Sequence, residues 1–322
     1  MLELAPEISA HLGDGDTAFD RVFSLTGQVF RNVEGRETLR VEIGGRPYFL
    51  KRHHGLGWKL IVKTLLACRW PVLSACNEVL AVRALERAGI PTVEVVGFGD
   101  RGRNPATRQS FLLMRELQDC SDLGTLCAAW AEHPPAPAFR RAMIDAVANV
   151  TRQMHAAGVN HRDFYFCHLW LDRSSMGDVR QLSIGFRSAV PNLPVALRLC
   201  VMDLHRAMRR RRVPVWWLAK DLAGLLFSAW DCGVTKSDCI RFVRTYRGMS
   251  ARQVFASERL LWQVVLWRAA RLFRTTHFRE PNTSLNVPRV CRKHHDPIGT
   301  KTPPNPHWTS DRRSSASLTS DL

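Results

Sequence analysis

An α+β fold of two lobes, an antiparallel-sheet lobe followed by a mainly helical one, is predicted by three features of this 322-residue sequence. Short β-favouring runs crowd the first third, helical periodicity fills most of the rest, and 45% of the residues are hydrophobic, enough for a sizeable core. From Phe19 to Arg52 the runs "RVFSLTGQVFRNV", "TLRVEI" and "RPYFLKRH" alternate with turns, Gly44-Gly45 among them, and read as an antiparallel meander. In "NEVLAVRALERAGIPTVEVVGFG", Val79, Val82 and Leu85 recur at helical spacing, with Gly89 past the last turn and Pro91 blocking continuation. A helix and then a strand are expected there, and "QSFLLMREL" adds another apolar strand.

After Asp119 the pattern turns helical, first in "LGTLCAAWAEH" and then, past Pro134-Pro135, in "AFRRAMIDAVANVTRQMHAAG". The expected organisation is an N-terminal extension over 1–18, a sheet lobe over 19–117, a helical lobe over 118–280 and a basic tail over 281–322. Pro, Ser, Thr and Asn dominate that tail, which is expected to be disordered. Residues 176–196 read as a loop insertion between two short strands. Helices resume from Leu218 to Thr245. The window from Val213 to Trp230 is strongly apolar but is interrupted by Lys220 and Asp221, so it reads as a buried helix and not a membrane span. The face of "ASERLLWQVVLWRAARLFRTTHFR" suits either a final core-packed helix or a basic amphipathic helix on an anionic membrane.

The 46 Lys and Arg against 29 Asp and Glu give +17, which favours anionic partners: phosphates, nucleic acid or an acidic membrane surface. No RNA- or DNA-binding motif is recognisable, so nucleic acid is not an expected partner, and a basic nucleic-acid-binding protein is the lesser alternative that the charge leaves open. Nine cysteines without a CxxC pair fit reduced thiols. The opening "MLELAPEISAHLGDGD" is acidic and unlike a secretory leader, and a cytoplasmic location is expected.

Four polar positions stand out in order. Lys51 ends an apolar strand, Glu78 opens the next helix, Asp163 sits in an "HRD" segment after a helix, and Asp203 ends the apolar run "LRLCVMD". This is the parts order of phosphoryl transfer on a protein-kinase-like fold. A strand Lys neutralises nucleotide phosphates while a helix Glu holds its ammonium. One Asp orients the acceptor hydroxyl and takes its proton, and a second holds the Mg²⁺ that bridges the phosphates of ATP. Singly, each has a plainer reading as a surface lysine, a helix-dipole acid, a turn residue or a strand-end cap.

Thr26, Gly27 and Gln28 precede Lys51 on a hairpin and are candidates to present backbone amides to the nucleotide, although an ordinary turn explains the single glycine equally. Arg115, Glu116 and Leu117 are candidates for the segment that meets adenine. His168 stands five residues after Asp163, where protein kinases place a metal-binding Asn. It is a candidate metal ligand, or a contact to phosphate, since Mg²⁺ prefers oxygen. His161 and Arg162 are expected to support the loop. The arginines of "HRAMRRRRVP" suit an anionic acceptor or a solvated turn. "KRHHGLGWKLIVK" reads as a flexible basic loop over the site or a linker, and its adjacent His53 and His54 lack zinc-ligand spacing.

The segments "GQVFR", "EGRETLR", "YFLKRHHGLGWKLIVK", "RWPVLSACNEV", "RALERAGIPTVEVVGFG", "VNHRDFYFCHLWLD" and "MDLHRA" together resemble the lipopolysaccharide core heptose(I) kinases of Gram-negative bacteria, relatives of the Kdo kinases. The resemblance runs from about Val22 to Arg274. It implies a two-lobed protein-kinase-like fold and ATP- and Mg²⁺-dependent phosphorylation of an inner-core heptose, with Asp163 as base. The implied partners are a lipopolysaccharide core intermediate as substrate and the inner-membrane surface, on which the protein would sit peripherally at the cytoplasmic face. An acidic acyl carrier protein is a further candidate partner. A kinase for Kdo or another sugar is the alternative within this fold.

Overall fold

Alternation builds the sheet. In β3 (Arg36–Ile43) Leu39, Val41 and Ile43 are buried while Arg40 and Glu42 face solvent, and β4 (Arg46–His53) buries Tyr48 and Leu50. Gly44 and Gly45 join these strands with φ of 57° and 73°, the positive values that a tight hairpin turn requires. With β1 (Leu2–Leu4), β2 (Gln28–Val33), β5 (Val95–Arg101) and β6 (Gln109–Arg115) they form a six-stranded antiparallel sheet in the order β1-β5-β6-β4-β3-β2. The computed structural model describes residues 1–33, 35–67, 70–176 and 197–278.

Each face of the sheet meets a different partner. One face is covered by α1 (Pro6–Leu12) and α2 (Gly15–Ser24), with Ile8, Phe19 and Val22 packed on Leu39, Tyr48, Leu50 and Phe111. On the other, Leu112 and Met114 meet Val79, Val82 and Leu85 of α4 (Cys76–Arg87). That core runs on into the helical lobe through Met154, Phe164, Leu169 and Val201. The lobes therefore share apolar surface directly beneath the strand that carries Lys51.

Two local expectations differ from the structure. Arg21–Ser24, read as part of a strand, ends helix α2, because Ala18, Phe19 and Val22 lie on one helical face that the sheet covers. Residues 57–66, read as a basic loop, form helix α3 (Gly57–Leu66).

The helical lobe contains α5 (Leu123–Cys127), α6 (Pro137–Ala156), α7 (Val215–Asp231), α8 (Lys236–Arg247), α9 (Ala251–Ser257) and α10 (Arg259–His277). Helix α7 is the buried helix expected from the apolar window. The final apolar segment splits at Glu258, and α10 packs Trp262, Val265, Ala269 and Phe273 into the core around α7. No described helix is long and apolar enough to cross a membrane. The expected insertion after Met176 and the tail after Pro281 lie outside the described residues.

Short strands brace the polar loops between these helices. Strands β7 (Cys120–Asp122), β9 (Leu169–Asp172) and β10 (Leu199–Val201) form a small sheet, and β8 (Val159–Asn160) pairs with β11 (Met208–Arg209). Gly158 leads into β8 with φ 74°, and a Cβ there would lie 1.9 Å from the Arg210 carbonyl oxygen. Gly158→Ala should therefore destabilise the chain by about 2 kcal/mol or more. In urea unfolding this appears as a lowered midpoint at unchanged m value, and an unchanged midpoint would refute it.

Candidate active site

Lys51 projects from β4 on the face turned to α4. Its Nζ lies 2.6 Å from Glu78 Oε1 and 2.9 Å from Asp203 Oδ1. Glu78, in the first turn of α4, is only 1% exposed. Burial by itself would lower the Lys51 pKa, but the Asp203 and Glu78 carboxylates outweigh it and raise the pKa above the ordinary lysine value. Asp203 follows the mirrored logic: burial pushes its pKa up, and the stronger pull of Lys51 and His205 holds it well below the carboxylate range. Both groups are charged at neutral pH. Asp203 follows β10 in the left-handed region, at φ 55° and ψ 56°, a conformation that acidic side chains tolerate better than most.

The Asp163 loop is held by its neighbours' backbones. The His161 ring, fully buried, donates from Nε2 to the Met202 carbonyl at 2.8 Å, and His168 donates from Nδ1 to the Asp163 carbonyl at 2.6 Å. The two rings stack with centroids 5.2 Å apart. Burial, reinforced by His168, lowers the His161 pKa, so its ring is neutral. Arg162 takes a positive φ of 74°. Asp221 of α7, fully buried, accepts the backbone N–H groups of His161 at 2.7 Å and Arg162 at 2.8 Å. One carboxylate thereby fixes the turn that aims Asp163. The Asp163 carboxylate itself accepts from Arg206 Nη1 at 2.9 and 3.1 Å, with Lys220 Nζ 3.7 Å away. Burial lowers the Lys220 pKa against the pull of Asp163.

A narrow cleft of about 40 Å³ opens beside Lys51, Glu78 and Asp203, and Arg31, Val33, Arg36 and His53 contribute to its wall. The structure thus brings Lys51, Glu78 and Asp203 into direct contact, with His168 Nε2 3.7 Å from Asp203 Oδ2. Thr26, Gly27 and Gln28 do not line this cleft, whereas Arg31, Val33, Arg36, Glu37 and Thr38 of the β2–β3 hairpin do. A Cβ on Gly27 would lie 2.1 Å from the Arg40 carbonyl oxygen, so the close approach of β3 accounts for that glycine. Arg115 pairs with Glu7 and Glu94, and Glu116 with Arg40 at 2.8 Å, while the chain through Leu117 leads from β6 to β7. The Arg115 and Glu116 side chains are engaged outside the cleft.

Asp221 and Lys220 are not site candidates from sequence, and Arg206, read there only as part of a basic run suited to an anionic acceptor or a solvated turn, grips Asp163. The signal for Asp221 was present, since an acid inside an apolar helix needs a buried partner. What sequence lacks is the identity of that partner, two backbone amides about sixty positions earlier.

Among the described residues no group of three His, Cys, Asp or Glu is placed to hold a metal ion by itself. A Mg²⁺ carried by a nucleotide asks for less, one or two protein carboxylates besides phosphate oxygens. Asp203 fits that need. Its Oδ1 is taken by Lys51 and His205, and its Oδ2 lies 3.7 Å from His168 Nε2.

Two lobes meeting at a lysine bridged to a helix glutamate, with an aspartate-bearing loop opposite, define a phosphotransferase of the protein-kinase-like fold. The family described as "Lipopolysaccharide kinase (Kdo/WaaP) family" matches residues 20–246. The lipopolysaccharide core heptose(I) kinase WaaP of Pseudomonas aeruginosa is 41% identical over 262 residues, covering 81% of this chain and 92% of that protein. The protein of the same name from Escherichia coli K12 is 40% identical over 272 residues, 84% of this chain and 97% of that one. A solved structure of WaaP in complex with acyl carrier protein matches with a TM-score of 0.69 at 37% identity, over 85% of this chain and 99% of that chain. This chain belongs to the lipopolysaccharide kinase (Kdo/WaaP) family.

Asp221→Asn exchanges one acceptor oxygen for a donor facing a backbone N–H, and should lower turnover by about 10²-fold through misplacement of Asp163. Steady-state kinetics decide it, and turnover within about twofold of wild type would refute the dependence. His53 is 4% exposed, and burial, with Arg36 and Lys51 nearby, lowers its pKa to about 3. The unfolded ring takes its proton near 6.5, so the unfolded chain binds more protons between these values and stability falls as pH drops below about 6.5. Ring ¹⁵N resonances assigned with His53→Asn should show a neutral imidazole at pH 5.5, whereas titration near 6.5 would contradict the assignment.

Proposed function

We propose that this protein transfers the γ-phosphoryl group of ATP to a hydroxyl of heptose I in the lipopolysaccharide inner core. The observation that carries this reading is the Lys51–Glu78–Asp203 contact with the braced Asp163 loop, in a chain about 40% identical to heptose(I) kinases over most of its length. In this reading Lys51, steadied by Glu78, neutralises nucleotide phosphates. Asp203 holds Mg²⁺, which supplies charge neutralisation on the phosphates when bound, and His168 borders that position. Asp163 orients the acceptor hydroxyl and takes its proton. Arg206 and Lys220 fix the carboxylate and put positive charge where an anionic acceptor arrives.

The protein is assigned to the cytoplasmic face of the inner membrane as a peripheral protein, in keeping with its charge of +17 and a glycolipid substrate. An acyl carrier protein is proposed as partner. An apolar cavity of about 240 Å³ in the helical lobe, walled by Met143, Leu225, Phe242 and Trp262, has room for an apolar chain.

Labelled ATP offered with heptosylated and with heptose-free Kdo-lipid A tests the assignment. Transfer should require the heptose, and Asp163→Ala should lower the rate by about 10² to 10⁴-fold. Preference for the heptose-free acceptor would make the protein a Kdo kinase, and undiminished turnover in Asp163→Ala would remove the mechanism.

A further inference from the structure

Helix α3 lies in sequence between the strand of Lys51 and the helix of Glu78, and it presents an apolar face to solvent. Of its ten residues only Ile61 is buried. Trp58 is 57% exposed and Leu66 80%, with Val62 and Leu65 between them and Trp70 just beyond the helix also exposed. At about 100° per residue, Trp58, Val62, Leu65 and Leu66 fall within one arc of about 100°. Lys59 and Lys63 continue that arc on one side, both exposed, and Ile61 and Thr64 turn inward on the other.

The other largely exposed tryptophans among the described residues, Trp216 and Trp267, are treated differently. Trp216 lies under Arg268 at 4.2 Å and Trp267 under Arg271 at 5.7 Å, so a cation covers each ring. Among the described residues no cation or ring contact covers Trp58 or Trp70. A contiguous apolar patch of this kind marks a surface that is buried in use.

We infer that α3 is the element that docks this protein on an anionic lipid bilayer, inserting Trp58, Val62, Leu65 and Leu66 among the acyl chains while Lys59 and Lys63 meet the headgroups. The inference rests on the membrane reading above and names the surface responsible. The charge favours lipid: acidic groups are missing from α3, its two charged residues are both lysines, and the chain carries +17 overall. Tryptophan at the edge of an apolar face is suited to the boundary between headgroup and hydrocarbon. The helix leaves the strand of Lys51 within a few residues of His53, which lines the cleft, so docking there brings the site to the surface where a glycolipid acceptor is held.

Co-sedimentation of the full chain with phosphatidylcholine vesicles, with and without phosphatidylglycerol, tests this. Wild type should bind the anionic vesicles more strongly than the neutral ones, and high salt should weaken that binding. Val62→Glu with Leu66→Glu should lower partitioning by about tenfold or more, and Lys59→Glu with Lys63→Glu should weaken it and flatten its salt dependence. The replaced side chains are exposed, so thermal unfolding should stay close to wild type, which separates lost docking from lost fold. Failure of wild type to bind anionic vesicles would overturn the membrane reading and this inference together. Equal binding by wild type and Val62→Glu/Leu66→Glu would overturn the assignment to α3 and leave the membrane reading standing. A wild-type dimer in sedimentation equilibrium that the same variant dissociates, with vesicle binding unchanged, would show that α3 docks a second copy and not lipid.

Discussion

One ammonium group shared between two carboxylates is the constraint on which the site depends. Lys51 reaches Glu78 on the neighbouring helix and Asp203 at the end of a strand in the other lobe, so three elements distant in sequence are fixed by a single cation. Without Lys51 the buried Glu78 carboxylate would lose the cation that compensates it, and such a charge is costly to leave unpaired. The apolar core beneath the sheet runs across both lobes at the same place, through Leu112, Val82, Leu85 and Val201. Hydrophobic burial brings the lobes together, and the ion pairs set their register.

A second buried acid does comparable work on the loop opposite. Asp221 satisfies two consecutive backbone N–H groups at a residue, Arg162, whose positive φ leaves them without a regular ladder. The stacked rings of His161 and His168 then tie this turn to Met202, one residue before Asp203. The Asp163 loop and the Asp203 turn are thus one connected polar assembly, so a disturbance in α7 is felt at both. Positive charge gathers around it from Arg206, Lys220 and Arg162, which suits a reaction between an anionic nucleotide and an anionic acceptor.

Much of this was legible before the structure. The alternation around Gly44-Gly45 gives the hairpin of β3 and β4, and the spacing of Val79, Val82 and Leu85 gives α4, because both patterns are local. The order Lys51, Glu78, Asp163, Asp203 was readable because each residue sits at the edge of an apolar element, where a polar side chain is conspicuous. Less legible were α2 and α3. "RVFSL" carries apolar residues at spacings compatible with strand or helix, and only the sheet face that covers Phe19 and Val22 decides. "GLGWKLIVKTLL" carries two glycines and two lysines that read as a loop, yet both glycines precede most of the helix, and its apolar side turns outward, against the usual inference from periodicity.

The sequence by itself determined which groups are on offer here: a strand lysine, a helix glutamate and two aspartates in the order that phosphoryl transfer on this fold uses, with a charge of +17 that favours anionic partners. Only the tertiary structure decided which groups are paired. That Asp221 holds the amides of His161 and Arg162, that Arg206 grips Asp163, and that Arg31, Val33 and Arg36 and not Thr26 to Gln28 share the cleft with Lys51 all depend on chain crossings between distant segments. Local periodicity reports what a residue's neighbours in sequence permit. Pair distances of 2.6 to 3.1 Å between residues tens of positions apart are fixed by how the cores close, and that is a property of the packed whole.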